Sequence, residues 1–375
     1  MENKKIKQIV RIISNFKIEG NVKTVQAFGS GHINDTYKVI NADREHPDYL
    51  LQRVNHEIFR DVSGLMRNIA HVTGHLREKL SKIAGSDPEK EVLTLIPSIN
   101  GHYFYHDQGG RYWRLYLFLK ETRSYDVVTT KTQAYEGGKA FGNFQTLLAD
   151  LDLDQLTETI PDFHNIRVRL KQFEQALQKN KANRAVYIKD ELRFIENREY
   201  SMAEIEHLGE LGKIPARITH NDTKFNNILF DKNGIAQCVI DLDTVMPGYT
   251  AFDFGDAVRT IINPSAEDEP DLEKITLNIP LFKSFTDGFL ERTAHQLNEA
   301  ETSSLAKGVL LLPFIMGVRF LTDYLNGDVY YKVKFSGHNL QRARAQFHLV
   351  KQLEQKYPEI YTIILQAWQH ARVLN

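Results

Sequence analysis

One cysteine, Cys238, stands in 375 residues, which leaves the chain neither an internal disulfide nor a thiolate metal cluster. Its neighbours Gln237, Val239 and Ile240 make an apolar run and predict a small buried side chain, not a reactive thiol. An excess of charge is lacking too. Lys and Arg number 47 against 48 Asp and Glu, a formal net charge of -1, so neither nucleic acid nor a membrane surface is expected as a main partner. No stretch approaches the roughly 20 apolar residues a membrane-spanning helix requires. The first twenty residues mix Lys4, Lys5, Lys7 and Arg11 with scattered Ile and Val, and read as an amphipathic helix in place of a signal peptide. A cytoplasmic protein is the expectation. Internal repeats and low-complexity tracts are absent as well. What remains is an ordinary globular composition, 42% hydrophobic and 25% charged, in a chain long enough for two cores or one domain of two lobes.

The two halves differ in pattern. From Thr24 to Ile40 apolar residues flank Gly29-Ser30-Gly31, which predicts strand, tight loop, strand, and Tyr49–Val54 adds a third strand. Ile58, Val62, Leu65, Met66, Ile69, Val72, Leu76, Leu80 and Ile83 then recur at helical spacing. The segments 91–97, 102–105 and 113–119 are short and rich in aromatic and branched residues, as strands completing an antiparallel sheet are. After Lys120 the segments 134–148, 164–180 and 190–208 favour helix, as does most of the chain beyond Asp271. One β island, 217–240, interrupts them, with Asn233-Gly234 marking a hairpin. The expected organisation is a lobe at 1–118 and a mainly helical lobe at 119–375.

The segment His220-Asn221-Asp222-Thr223-Lys224-Phe225-Asn226-Asn227 packs polar groups between two apolar runs. Asn227 follows Asp222 by five positions, and Asp241 by nineteen, at the end of Cys238-Val239-Ile240. Phosphoryl transfer to a hydroxyl needs such a set. One carboxylate accepts the proton of the hydroxyl, while an amide oxygen and a second carboxylate hold Mg²⁺ on the nucleotide phosphates. Lys224 is placed to meet the charge that develops on the moving group. An Asp-x4-Asn pair by itself is commonly a capped turn; here the order and spacing of the whole set carry the signal.

These residues resemble the aminoglycoside phosphotransferase and choline kinase superfamily, marked by His-(Gly/Asn)-Asp-x4-Asn followed by apolar-Asp-x-(Asp/Glu). The nearer resemblance is to N-acetylhexosamine 1-kinases, in 220–224, in 240–248 (IDLDTVMPG) and in 252–259 (FDFGDAVR). The resemblance implies an α+β, protein-kinase-like fold of two lobes: an antiparallel-sheet lobe binding ATP and a mainly helical lobe binding the acceptor. It makes Asp222 the catalytic base and Asn227 and Asp241 the Mg²⁺ ligands, with Asp243 an acidic neighbour. Asp253 and Asp256 read as braces of the catalytic loop and caps of the next helix. Arg319 and Tyr330, in 316–330 (MGVRFLTDYLNGDVY), become sugar contacts; otherwise Arg319 pairs with Asp323 and Tyr330 is a half-buried ring.

In the first lobe Gly29, Ser30 and Gly31 look like the loop over the ATP phosphates, where missing side chains let backbone N–H groups approach. Kinases usually carry a lysine on the third strand. This chain has Gln52 and Arg53 there, so Arg53 is the candidate phosphate contact or else a solvated edge residue. No Glu stands at the usual spacing on the following helix, where Asn68 is the nearest polar residue. The expected activity is transfer from ATP to the anomeric hydroxyl of an N-acetylhexosamine. Another small acceptor (aminoglycoside, choline, homoserine, a different sugar) and a nucleotide-binding pseudokinase are the alternatives.

Overall fold

A computed structural model describes the protein over residues 2–29 and 33–374, the side chains of residues 2–6 and 374 excepted. Ser30 and Gly31 of the glycine loop lie outside the described residues. The chain folds into two compact units, one formed by 1–122, 150–160 and 237–246, the other by 123–149, 161–236 and 247–375.

The first unit is built on one antiparallel sheet. After α1 (Glu2–Ile13) come β1 (Val22–Ala27), β2 (Asp35–Asn41), β3 (Tyr49–Val54), α2 (Val62–Leu80), α3 (Pro88–Glu91), β4 (Leu95–Ile96), β5 (Tyr105–His106) and β6 (Tyr112–Leu117). The strand order is β1-β2-β3-β6-β4, and β5 also pairs with β6. Alternation along the strands gives each face its own chemistry. Tyr37, Val39, Leu51, Trp113 and Leu115 turn to one side and close a core with Ile9, Ile12, Ile13 and Phe16 from α1 and the residues after it. On the other side, Thr36, Gln52 and Arg114 stand in register on neighbouring strands.

Helix α2 begins at Val62, where the Asp61 carboxylate accepts from the Gly64 N–H. Ile58, which the periodicity includes, precedes the helix. Asn68, fully buried on α2, holds the two returning segments: its amide nitrogen donates to Thr157 O (2.7 Å) and Val245 O (3.1 Å), and its oxygen accepts from Thr157 N. The strand expected across 91–97 shrinks to Leu95–Ile96, and Glu91 belongs instead to a helical turn, Pro88–Glu91, capped by Asp87. Cys238 is buried as expected, and burial pushes its thiol up to about 12.

The second unit contains α4 (Lys131–Leu147), α5 (Ile166–Lys179), α6 (Lys189–Glu196), α7 (Glu199–Met202), α8 (Glu204–Glu210), β7 (Arg217–Thr219) and β8 (Ile228–Phe230). The chain leaves it through β9 (Ala236–Val239) and returns through β10 (Met246–Gly248). Then follow α9 (Thr250–Ile261), α10 (Ile279–Thr293), α11 (Glu299–Asn326), α12 (His338–Gln355) and α13 (Tyr357–Leu374). Asn233-Gly234 makes the expected tight turn, with Gly234 at φ 82° and Asp231 N–H donating to Ile235 O.

Helix α11 corrects one expectation. By length and composition it is apolar enough to cross a membrane, which a search for an unbroken apolar run overlooks because polar residues punctuate it. Most of that stretch is buried within the unit. Leu305, Val309, Leu312, Phe314, Ile315, Val318 and Leu321 are all at most 1% exposed, the pattern of a core helix surrounded by protein.

Candidate active site

In the second unit the polar loop between β7 and β8 is held from below by one carboxylate. Asp253 Oδ2 accepts from the His220 N–H (2.8 Å), and its Oδ1 accepts from the Asn221 N–H (2.7 Å). Gln145 Nε2 donates to Oδ2 (2.8 Å), and the Thr223 hydroxyl donates to the Asp253 carbonyl (2.6 Å). Burial pushes the Asp253 carboxyl up, and these donors only partly oppose it. The loop needs this support because Asn221 sits at φ 63°, left-handed backbone that costs a non-glycine residue energy. A Cβ on Gly248 would lie 2.4 Å from the Thr219 hydroxyl, so a larger residue beside the loop would have to displace Thr219.

The bracing of the loop by Asp253 agrees with expectation; capping by Asp253 and Asp256 does not. Helix α9 starts at Thr250, Tyr249 occupies the cap position without a side-chain bond, and both aspartates lie inside the helix. Asp256 instead accepts from Arg259 Nε and Nη2 (3.2 and 2.9 Å).

On this platform Asp222 is half-buried. Lys224 Nζ lies 3.2 Å from its Oδ2, and Asn227 Nδ2 donates to its carbonyl (2.8 Å) and its Oδ2 (3.2 Å). Burial pushes the Asp222 carboxyl up, but Lys224, His220 and Arg259 outweigh it and hold the group below the ordinary carboxylate value. Asp222 is therefore an ionised acceptor at neutral pH. With the amide nitrogen of Asn227 turned onto Asp222, its oxygen is the end left for a cation. Asp222, Lys224 and Asn227 thus come together as expected.

Sequence reasoning gave His164 no role. It is 6% exposed, and its Nε2–H donates to Asn221 O (2.8 Å), the carbonyl one residue before Asp222. Burial lowers its ring to about 4, so it is neutral, and its Nδ1 has no protein partner among the described residues. Phe163 packs against it at 4.6 Å between ring centroids, and Arg319 lies over Phe163 at 5.1 Å. Arg169, on α5, donates through Nε and Nη2 to Phe163 O (3.2 and 2.9 Å). Burial, and after it the Arg319 charge, lowers Arg169 to about 10. Arg319 has no ion pair with Asp323. That carboxylate accepts from the N–H groups of Val329, Tyr330 and Tyr331 and from Asn339, shaping the turn after α11. Tyr331 is the ring beside Arg319, 5.8 Å away, while Tyr330 is 52% exposed and meets Tyr331 edge-on.

In the first unit Gly29 is at φ 76°, with nothing among the described residues within 4 Å of where a Cβ would sit. Arg53 pairs with Asp35, its register partner on β2, and shares the sheet face of Leu51 and Trp113. The opposite face carries the buried cation that sequence reasoning missed. Arg114, 1% exposed, makes a two-pronged pair with Asp243 (Nη2 to Oδ2 2.9 Å; Nη1 to Oδ1) and donates from Nε to Gln52 Oε1 at 2.9 Å. Asn34 Nδ2 donates to the same Asp243 Oδ2 at 2.7 Å. Asp241 is left-handed at φ 62°, two residues before. An alternating polar position on β6 and an acidic partner 129 residues away were the only signals available in the sequence.

Residues 24–278 match the profile of the phosphotransferase enzyme family, APH. Among solved structures, an amicoumacin kinase in complex with AMP-PNP, Ca²⁺ and Ami is similar at TM-score 0.58 and 12% identity, over 93% of each chain. The choline kinase of Cryptosporidium parvum Iowa II is similar at TM-score 0.58 and 16% identity, over 94% of this chain and 96% of that one. A spectinomycin phosphotransferase in complex with ADP and spectinomycin follows at TM-score 0.55 and 13% identity, over 93% and 98%. At these identities the likeness is one of fold, and the fold is the α+β, protein-kinase-like one.

Proposed function

Because the chain belongs to the phosphotransferase enzyme family, matched over residues 24–278, we propose that it is an ATP- and Mg²⁺-dependent kinase for the anomeric hydroxyl of an N-acetylhexosamine. The observation that carries the chemistry is the braced Asp222, an ionised carboxylate with Lys224 at 3.2 Å. Asp222 takes the proton of the acceptor hydroxyl as it attacks, and Lys224 offsets charge on the transferred phosphoryl group. No covalent enzyme intermediate is required. The amide oxygen of Asn227 and the carboxylate of Asp241 are oxygen donors of the kind Mg²⁺ takes, with phosphates and water completing its shell. Among the described residues no three His, Cys, Asp or Glu side chains form a metal cage. A magnesium ion that arrives with the nucleotide needs none; when bound it neutralises phosphate charge.

The acceptor class is supported by charge. Arg319 and Arg169 gather on Phe163, and no carboxylate lies within ion-pair distance of either among the described residues. Two such cations oppose a cationic acceptor such as an aminoglycoside or choline, while their N–H groups suit hydroxyl and acetamide oxygens. The resemblance to N-acetylhexosamine 1-kinases at 220–224, 240–248 and 252–259 narrows the choice further. A cytoplasmic setting, where ATP is supplied, accompanies this proposal.

The test is ADP release with ATP and Mg²⁺ across N-acetylglucosamine, N-acetylgalactosamine, glucose, galactose, choline, homoserine and kanamycin, for the wild type and Asp222→Asn. Turnover confined to N-acetylated hexoses, and lowered at least about 10²-fold by Asp222→Asn, is expected. Turnover on choline or kanamycin would sink the sugar assignment and leave the chemistry standing. Silence on every acceptor would favour the pseudokinase.

A further inference from the structure

β3 carries no lysine, and its one cation, Arg53, is spent on Asp35 on the sheet face of the apolar core. The face that carries Gln52 holds a different arrangement. Arg114 enters from β6 directly opposite Gln52, so that the two side chains project to the same side. All three donating ends of the guanidinium are used: Nη1 and Nη2 on Asp243, Nε on Gln52, whose own Nε2 donates to the Thr36 hydroxyl at 3.1 Å. A side chain buried to 1% and held at each of its three nitrogens does not reach out to a phosphate. It fixes what it holds.

What it holds is shared. Asn34, which stands where the chain leaves the glycine-rich stretch and enters β2, donates to Asp243 Oδ2 and accepts from the Asn55 N–H at 3.0 Å, just beyond β3. The Asp243 carboxylate therefore receives two guanidinium donors from β6 and one amide donor from the start of β2. Asp241, two residues earlier, turns through left-handed backbone, a conformation that persists where its surroundings enforce it. The 3% exposure of Asp243 and 1% of Arg114 put the pair beyond solvent screening.

We propose that Arg114 and Asn34 are positioning residues for nucleotide binding: through Asp243 they lock the exit of the glycine-rich stretch and the Asp241 segment into one geometry. Asn34, at the exit of that stretch, and the segment bearing Asp241 are then set by one buried carboxylate, Asp243, and its donors. This rests on the family reading of the nucleotide site and is independent of which acceptor is used.

The test compares wild type, Asn34→Ala and Arg114→Lys. Asn34→Ala removes one half-buried amide; Arg114→Lys keeps the charge and loses the planar fork. MgADP binding by calorimetry, KM for ATP, half-saturation by Mg²⁺, KM for the acceptor and Tm are measured for each. Asn34→Ala is expected to weaken MgADP binding and raise the ATP KM and the Mg²⁺ half-saturation together by about tenfold. Acceptor KM and Tm should stay near wild type. Arg114→Lys is expected to do the same to a larger extent, and if it fails to fold Asn34→Ala decides alone. Wild-type binding with an Asn34→Ala that leaves both nucleotide and Mg²⁺ responses unchanged overturns the proposal. So does a loss spread equally over acceptor KM and Tm, which is what a merely structural role gives. Absence of MgADP binding in the wild type overturns the nucleotide site itself, and the proposal with it.

Discussion

Asp222, the proposed base, and His164, which holds the carbonyl of Asn221 beside it, differ in what acid does to them. Asp222 is held below its ordinary value of 3.8, so it stays a base as pH falls and protonates only beneath the usual carboxylate range. At saturating Mg²⁺, kcat/KM should show no acid limb between about pH 5 and 7; a limb there would contradict Asp222 as the ionised base. His164 has its pKa lowered by burial from 6.5 to about 4. Between those values the unfolded chain binds a proton that the folded chain refuses, so stability is lost as pH drops through that window. The whole effect is at most about 3 kcal/mol. Denaturant unfolding at pH 7 and pH 5 should give a smaller difference for His164→Asn, which keeps a donor for Asn221 O, than for wild type. An equal difference would show that His164 does not carry it. Asp222, Lys224 and Asn227 were legible in the sequence because they sit within six positions of one another. His164 was not, since its partner Asn221 lies 57 residues further on and nothing local distinguishes a buried ring from one that begins a helix.

Among the elements, α9 and α11 show why a recognisable sequence segment need not be a site. Gly255 falls inside Phe252-Asp253-Phe254-Gly255-Asp256, which looks like a metal motif, yet its role is steric. A Cβ there would stand 2.2 Å from Gly308 O, and one on Gly308 would stand 2.0 Å from Ala251 O. Backbone meets backbone where the helices cross, and no rotamer change can relieve that contact. Gly255→Ala should cost about 1–3 kcal/mol by overpacking. A thermal melt checks it, and an unchanged Tm would mean that the helices part freely. Because α9 also carries Asp253, the same substitution is expected to lower kcat. Sheet strands and the longer helices were readable from alternation and helical spacing. The helical turn at Pro88–Glu91 and the start of α2 were not, because they follow from caps at Asp87 and Asp61 that override the surrounding pattern.

For the molecule as a whole, the consequential fact is that the first unit is not one stretch of chain. Residues 150–160 and 237–246 return to it, joined through Asn68, and the second of these brings Asp243 to Arg114. A linear reading places a boundary near 118 and has no means of seeing the returning segments. A fragment of residues 1–122 contains the sequence of every strand of the sheet but lacks the Asp243 carboxylate that Arg114 needs once buried, a loss of about 3–5 kcal/mol. Far-UV circular dichroism and proton NMR of that fragment should show an unfolded or aggregated chain. Dispersed amide resonances would contradict the dependence. The same threading has a consequence during synthesis. When β6 leaves the ribosome, the segment bearing Asp243 has not yet been made, and at roughly 5–20 residues per second it follows on the order of 10 s later. Through that interval the nascent sheet holds an unpaired arginine, so the early product of translation is a natural client for chaperones, and slowing the ribosome anywhere between residues 123 and 246 prolongs its exposure.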